Sequence, residues 1–297
     1  MSTLDPPLAE IHRRVLTWYA SAGRDLPWRE PGCTPWGVFV SEVMSQQTPV
    51  ARVEPAWSAW MRRWPTPADL AADSPGEAVR MWDRLGYPRR ALRLHAAATA
   101  MVERHGGQVP ADEEALLALP GVGAYTAAAV ATFAYGIRTT VVDTNIRRVH
   151  ARLVTGDALP AATLTRAESS LATSLLPEDD AEAATWNVAA MELGALVCTA
   201  RSPRCAACPV EDLCAWRRAG SPAYDGPARR GQAWADTDRQ VRGRLMALLR
   251  ESPDPVAASD LAAAWPADEA KRERCLASLI EDGLVEPVGD SSYRLPA

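Results

Sequence analysis

Lysine is almost missing from this chain. Lys271 is the only one among 32 basic residues, so no position before it can supply a lysine Schiff base. The first residues, MSTLDPPLAEIHRR, carry charges where a secretory leader needs an apolar run, and a cytoplasmic protein is expected. Alternating apolar–polar runs are scarce, which excludes a large sheet, and no internal repeat is present. One uncharged stretch, 115–137, is long enough to span a bilayer. Pro120, Gly121 and Gly123 would break such a span, so two buried helices joined by a turn are expected, and no membrane.

The net charge of −5 argues against a general nucleic-acid binder, but it is unevenly placed. From Asp236 onward stand eight basic and twelve acidic residues, a balance of −4, which leaves −1 for everything before. A near-neutral body can still hold phosphates if its arginines cluster, as at Arg89/Arg90, Arg147/Arg148, Arg217/Arg218 and Arg229/Arg230. Paired arginines also suit plain solvated helix faces, so these pairs permit DNA binding without requiring it.

What is present is helix: alanine and leucine at three- and four-residue steps, with connectors such as Pro31-Gly32 and Gly106-Gly107. Residues 219–235 read as a linker. After it, RQVRGRLMALLR, ASDLAAAW and EAKRERCLASLIEDG read as three helices, and LVEPVGDSSYRLP as a hairpin turning at Gly289-Asp290. Three helices and a hairpin resemble a winged-helix domain. Its acidity makes a protein-contact or packing role at least as natural as DNA binding.

Four cysteines converge within a short segment, Cys198-x6-Cys205-x2-Cys208-x5-Cys214. In a chain expected to be cytosolic, a metal centre is favoured over a disulfide framework. Tetrahedral zinc is widespread but favours two tight pairs, and only Cys205-x2-Cys208 is tight. Long arms suit a [4Fe–4S] cubane, and spacing alone leaves both open. Cys33 and Cys275 read as free thiols.

Three further segments can carry chemistry. Leu116 to Ala127, LLALPGVGAYTA, has the form of a helix–hairpin–helix; unpaired N–H groups around Gly121, Val122 and Gly123 would face a DNA phosphate. An ordinary helical corner is the competing reading. Asp143, in VVDTNIRRV, is either an N-cap or a carboxylate at a substrate cleft. Glu42 lies in the apolar WGVFVSEVMSQQT; a glutamate desolvated there would hold a proton and serve as a general acid.

Together RDLPWR (24–29), SEVMSQQT (41–48), LGY (85–87), LPGVGAYTA (119–127), VDTN (142–145), MELGALVC (191–198) and the cysteines resemble the endonuclease III superfamily of DNA glycosylases, most closely its adenine-glycosylase (MutY-type) branch. The resemblance covers roughly residues 8–218. It implies an all-α helix–hairpin–helix glycosylase fold. A six-helix module (24–135) and a cluster module (1–23 plus 136–218) would be followed by the linker (219–235) and the winged-helix-like domain (236–297). It implies a [4Fe–4S] cluster on Cys198, Cys205, Cys208 and Cys214. It also implies a monomer acting on double-stranded DNA at A:8-oxoguanine or A:G mispairs in a bacterial cytosol.

By match, Glu42 would protonate the adenine and help activate the incoming nucleophile, Asp143 would stabilise the cationic sugar, and Asn145 would support it. Arg24, Leu26, Trp28 and Arg29 would line the adenine pocket, with Glu192 on the adenine edge. Gln47 and Tyr87 would wedge into the base stack. Bifunctional relatives carry a lysine where this chain has Tyr125, which implies a monofunctional enzyme. Ser45, Arg84, Pro88 and Thr144 depart from the usual motifs, and Thr144 leans toward endonuclease III. The tail has no pattern of the NUDIX-like domain many members carry, so recognition of the lesion strand must rest more on the catalytic body, or on a different use of the tail. A thymine or uracil mismatch glycosylase is the nearest rival. A non-catalytic DNA-binding or redox-sensing cluster protein is the rival of another class.

Overall fold

The computed structural model describes residues 8–226 and 236–297, which are mostly helical. They divide into two compact units. One gathers residues 8–38, 111–117 and 122–226, the other 39–110, 118–121 and 236–297.

The first unit is built on two long helices. Leu8–Ala22 turns Ile11, His12 and Val15 inward. Asp180–Leu196 starts at Asp179, whose carboxylate accepts the Glu182 amide at 2.9 Å as an N-cap. Trp186, Ala189, Ala190 and Leu193 from that helix join Ile146 and Val149 in one apolar core, where each large buried side chain contributes about 1.5–3 kcal/mol. Ala128 and Ala129 of helix Ala124–Tyr135 lie in the same core. Residues 122–135 therefore cluster with this unit. Helix Thr144–His150 runs on into a wide π-type turn, Ala151–Thr155, which re-aims Arg152.

His150 is fully enclosed in this core. Its ring stacks on Trp186 at 6.4 Å, and its Nε2 meets no hydrogen-bond partner among the described residues. Burial holds its pKa down from 6.5 to about 4. The unfolded chain takes up a proton below pH 6.5 and the folded one resists until about 4, so stability is lost progressively as pH falls through that window. The loss should reach about 3 kcal/mol, and thermal midpoints of His150→Phe should fall less than those of the parent between pH 7 and pH 4.

The second unit packs Val50–Arg63, Pro67–Ala72, Pro75–Trp82 and Arg89–His105 around Trp60, Trp64 and Trp82. Trp64 and Trp82 meet Trp60 edge-on at 4.7 and 5.6 Å. The C-terminal segment belongs to this unit. Its helices Asp238–Glu251, Ala258–Ala264 and Glu269–Glu281 match the expected three, and strands β2 (Glu286–Val288) and β3 (Ser292–Arg294) form the expected hairpin around Gly289. A further strand, β1 (Val256–Ala257), adds to β3 to give the antiparallel order β1-β3-β2. Two residues are too short to show alternation, so this strand left no signal in the sequence. The expected linker falls partly on 227–235, outside the described residues. No helix among the described residues is long and apolar enough to cross a membrane.

Candidate active site and iron–sulfur centre

Glu42 sits on helix Pro35–Ser45 with Phe39, Val40, Val43 and Met44 buried around it. It is only 9% exposed. The commoner arrangement, a glutamate on the solvent side of its helix, is therefore not the one adopted.

Two turns follow in the same unit, each with a residue in the left-handed region: Gln47 (φ 57°) and Tyr87 (φ 48°). Both side chains are exposed, and such backbone strain persists only where surroundings enforce it. One buried arginine does so. Arg90 donates to the carbonyls of Val43 (2.9 Å), Met44 (3.0 Å) and Gln46 (2.5 Å) on one side. On the other it donates to Leu85 (3.3 Å) and Gly86 (2.9 Å), and to Thr48 Oγ1 at 3.0 Å. Thr48 in turn donates to the Leu85 carbonyl at 3.0 Å. Burial lowers the Arg90 pKa to about 10, still charged at neutral pH. The sequence offered Arg90 as half of a phosphate-binding pair; at 6% exposed it is spent on carbonyls instead.

In the first unit Asp143 is both cap and candidate carboxylate. Its Oδ1 accepts the Ile146 amide at 2.6 Å at the start of helix Thr144–His150. Its Oδ2 accepts Asn145 Nδ2 at 2.7 Å. Asn145 Oδ1 then accepts Arg148 Nη2 at 2.7 Å, which fixes the amide orientation, since aspartate only accepts and arginine only donates. Arg148 also donates to the carbonyls of Cys198 (2.6 Å) and Gly194 (2.7 Å). A continuous hydrogen-bonded chain thus joins Cys198 to Asp143. Burial raises the Asp143 pKa, opposed by its amide hydrogen bonds and by the Arg148 charge. Arg148, 6% exposed, is a second paired arginine spent on internal partners. Its spacing from Asn145, one helical turn, was the signal that could have revealed the pair.

Gly194 lets this chain close up. A Cβ there would lie 2.6 Å from the Asn145 Cβ and 2.8 Å from its carbonyl oxygen. Gly194→Ala should destabilise the fold by about 1–3 kcal/mol, measured by denaturant unfolding, and should displace Asn145.

Glu192, fully buried, is gripped by two arginines of the RDLPWR segment. Arg24 Nε donates to Oε2 at 2.9 Å and Arg24 Nη2 to Oε1 at 2.5 Å; Arg29 Nη2 reaches Oε1 at 3.0 Å. With the Arg24 amide at 3.3 Å, four donors fill the acceptor sites of the carboxylate. Burial pushes its pKa up, but the hydrogen bonds and charges of Arg24 and Arg29 outweigh that and hold it below the usual glutamate range. Leu26 and Trp28 are buried within the same segment.

The hairpin has the expected turn. Helices Glu113–Leu117 and Ala124–Tyr135 flank it, Gly121 takes φ 78°, and Gly123 caps the second helix with no side-chain bond. The helix of twelve residues that begins at Ala124 therefore has no side-chain cap on its first amides. Tyr125 is half-buried at its second position and packs against the core of the first unit.

Cys198, Cys205, Cys208 and Cys214 all line one cleft together with Arg152, Trp216 and Arg217. None of the four is in a disulfide. Arg152 Nη1 lies 3.3 Å from Cys198 Sγ and its guanidinium stacks on Trp216 at 4.8 Å. Burial first, and then the three neighbouring cysteines, push the Cys208 thiol up to about 12, so a thiolate there is favoured by a bound metal. A shared cleft ringed by thiols and guanidinium groups fits an iron–sulfur cluster.

A family model described as HhH-GPD superfamily base excision DNA repair protein matches residues 40–173. The iron–sulfur binding domain of endonuclease III matches residues 198–214, which resolves the choice between zinc and iron in favour of the cluster. The chain belongs to this superfamily of helix–hairpin–helix base excision repair proteins. The adenine DNA glycosylase of Mycobacterium tuberculosis (strain ATCC 25618 / H37Rv) is 53% identical over 282 residues, 95% of this chain and 92% of that protein. Within the superfamily, the chain is a member of the adenine DNA glycosylase family. The human adenine DNA glycosylase is 45% identical over 213 residues, 69% of this chain and 39% of that protein. Among solved structures, a thermostable thymine-DNA glycosylase has a TM-score of 0.62 at 26% identity, covering 71% of this chain and 97% of that one.

Proposed function

We propose that this chain hydrolyses the N-glycosidic bond of adenine paired with 8-oxoguanine or guanine in duplex DNA, leaving an abasic site. The observation that supports this most is the burial of Glu42 inside an apolar helix, in a family whose members act on adenine. The Glu42 carboxyl gives its proton to adenine N7, and the electrons of the C1′–N9 bond leave with the base. Asp143 stabilises the cationic sugar, held by Asn145. Water then adds at C1′ as the Glu42 carboxylate takes its proton.

Arg24, Leu26, Trp28 and Arg29 receive the flipped base. Glu192 reads the adenine edge once one of its four donors swings away; until then it organises the two arginines. Gln47 and Tyr87 fill the space the base leaves, and the amides at Gly121, Val122 and Gly123 hold a backbone phosphate. The four cysteines hold a [4Fe–4S] cluster that braces the surrounding arms and supplies no chemistry to the reacting bond. With Tyr125 at the hairpin and Lys271 in the tail, no Schiff base forms, so borohydride should trap no enzyme–DNA adduct.

Duplexes holding A:8-oxoG, A:G, T:G or U:G, incubated with the protein and treated with alkali, test the assignment. Cleavage is expected at the first two. Cleavage at T:G or U:G alone would establish the rival mismatch glycosylase, which the likeness to the thymine-DNA glycosylase structure favours as the second reading.

A further inference from the structure

The turn that presents Tyr87 is held from outside by the C-terminal domain. It joins helix Pro75–Trp82 to helix Arg89–His105, and three of its residues, Asp83, Gly86 and Tyr87, lie at positive φ. At its start, Arg250 Nη1 donates to the Asp83 carbonyl at 2.7 Å. One turn earlier, Arg80 Nη1 donates to the Ser252 carbonyl at 2.8 Å and also to that of Arg250. Just past its end, Arg89 pairs with Asp282 at 3.1 Å, and Asp282 also takes Arg242 at 2.5 Å. Between these clamps the Arg239 guanidinium lies 5.4 Å from the centre of the Tyr87 ring, which Arg90 approaches from within its own unit at 5.8 Å. That ring remains 45% exposed.

Attachment of the domain does not explain the last contact. The domain has a separate apolar anchor, where buried Leu295 and Pro296 close onto Gly76 so tightly that a Cβ on Gly76 would collide with the Pro296 carbonyl. A guanidinium over an exposed tyrosine instead fixes the plane of a ring whose free area can stack on a base.

We propose that the base-reading apparatus of this chain includes Arg239. Arg239 acts as a positioning residue that sets the Tyr87 ring against the base opposite the adenine and so strengthens the preference for 8-oxoguanine over guanine there. This rests on the role given above to Tyr87.

The test uses the full chain with its cluster, and duplexes in which a non-cleavable 2′-fluoro adenosine faces 8-oxoguanine or guanine. Arg239→Ala should lower the ratio of the two affinities roughly tenfold, Arg239→Lys should restore most of it, and Arg239→Ala in a Tyr87→Ala background should change it no further. An unchanged ratio in Arg239→Ala, equal weakening on both duplexes, or a full effect persisting without Tyr87 would each overturn the proposal. A parent chain that releases no adenine from the cleavable duplexes would overturn the function and this proposal with it. An active parent with an unchanged ratio in the variant would overturn this proposal alone.

Discussion

Glu42→Gln should abolish adenine release while leaving the fold and DNA binding in place. The side chain is enclosed among Phe39, Val40, Val43 and Met44, and glutamine has nearly the same volume, so packing survives the exchange. What is lost is a proton that can be handed to the base and taken back from water. General acid–base catalysis of this kind supplies about 10²–10⁴ in rate, and adenine is too poor a leaving group to depart without protonation. Single-turnover assays on an A:8-oxoG duplex measure the loss directly, and binding to a non-cleavable analogue provides the control. Full activity in this variant would remove Glu42 from the mechanism and the adenine assignment with it.

The second large effect is expected from a residue that touches no substrate. Arg148→Lys keeps the charge but replaces a planar fork with a point donor on a flexible stem. A lysine cannot serve Asn145 Oδ1 together with the Gly194 and Cys198 carbonyls, which Arg148 reaches at 2.7, 2.7 and 2.6 Å. Asn145 then loses the contact that orients its amide toward Asp143. A carboxylate displaced by about 1 Å can cost a hundredfold in rate, and the unsatisfied carbonyls should lower stability by about 1–3 kcal/mol. Excision should fall about a hundredfold, with the visible absorbance of the cluster retained. The converse experiment, stripping the iron with a chelator, should also depress excision, because the Cys198 arm is the far end of the same chain of contacts. Excision unaffected by Arg148→Lys would sever the link.

How much of this was legible beforehand follows from where each interaction is encoded. The helical texture, the Pro–Gly turn, the cysteine cluster and the two carboxylates are local patterns, and each could be read within a short window. Glu42 could be named from its motif, but not its burial, which depends on the rest of its unit. Arg90 and Arg148 escaped for a related reason. In sequence each is half of an Arg–Arg pair, which looks like a basic surface. Their carbonyl partners lie some forty to fifty positions away, as for Val43 and Cys198, and carbonyls are not marked by residue type. The same holds for the tail. Its three helices were visible, but the grip on Asp83 and Tyr87 depends on tertiary docking that no periodicity reports.

Arg90 has a consequence beyond local order. A single side chain fastens the turn bearing Gln47 and the turn bearing Tyr87, so their tips behave as the jaws of a gauge with a preset opening. The gap is fixed when the chain folds, not when DNA arrives, and little ordering entropy remains to be lost on binding. Such a gauge rejects by misfit rather than adapting. On the wedge role proposed for Gln47 and Tyr87, a duplex step of the wrong shape should be refused at the first touch, before any base has left the stack.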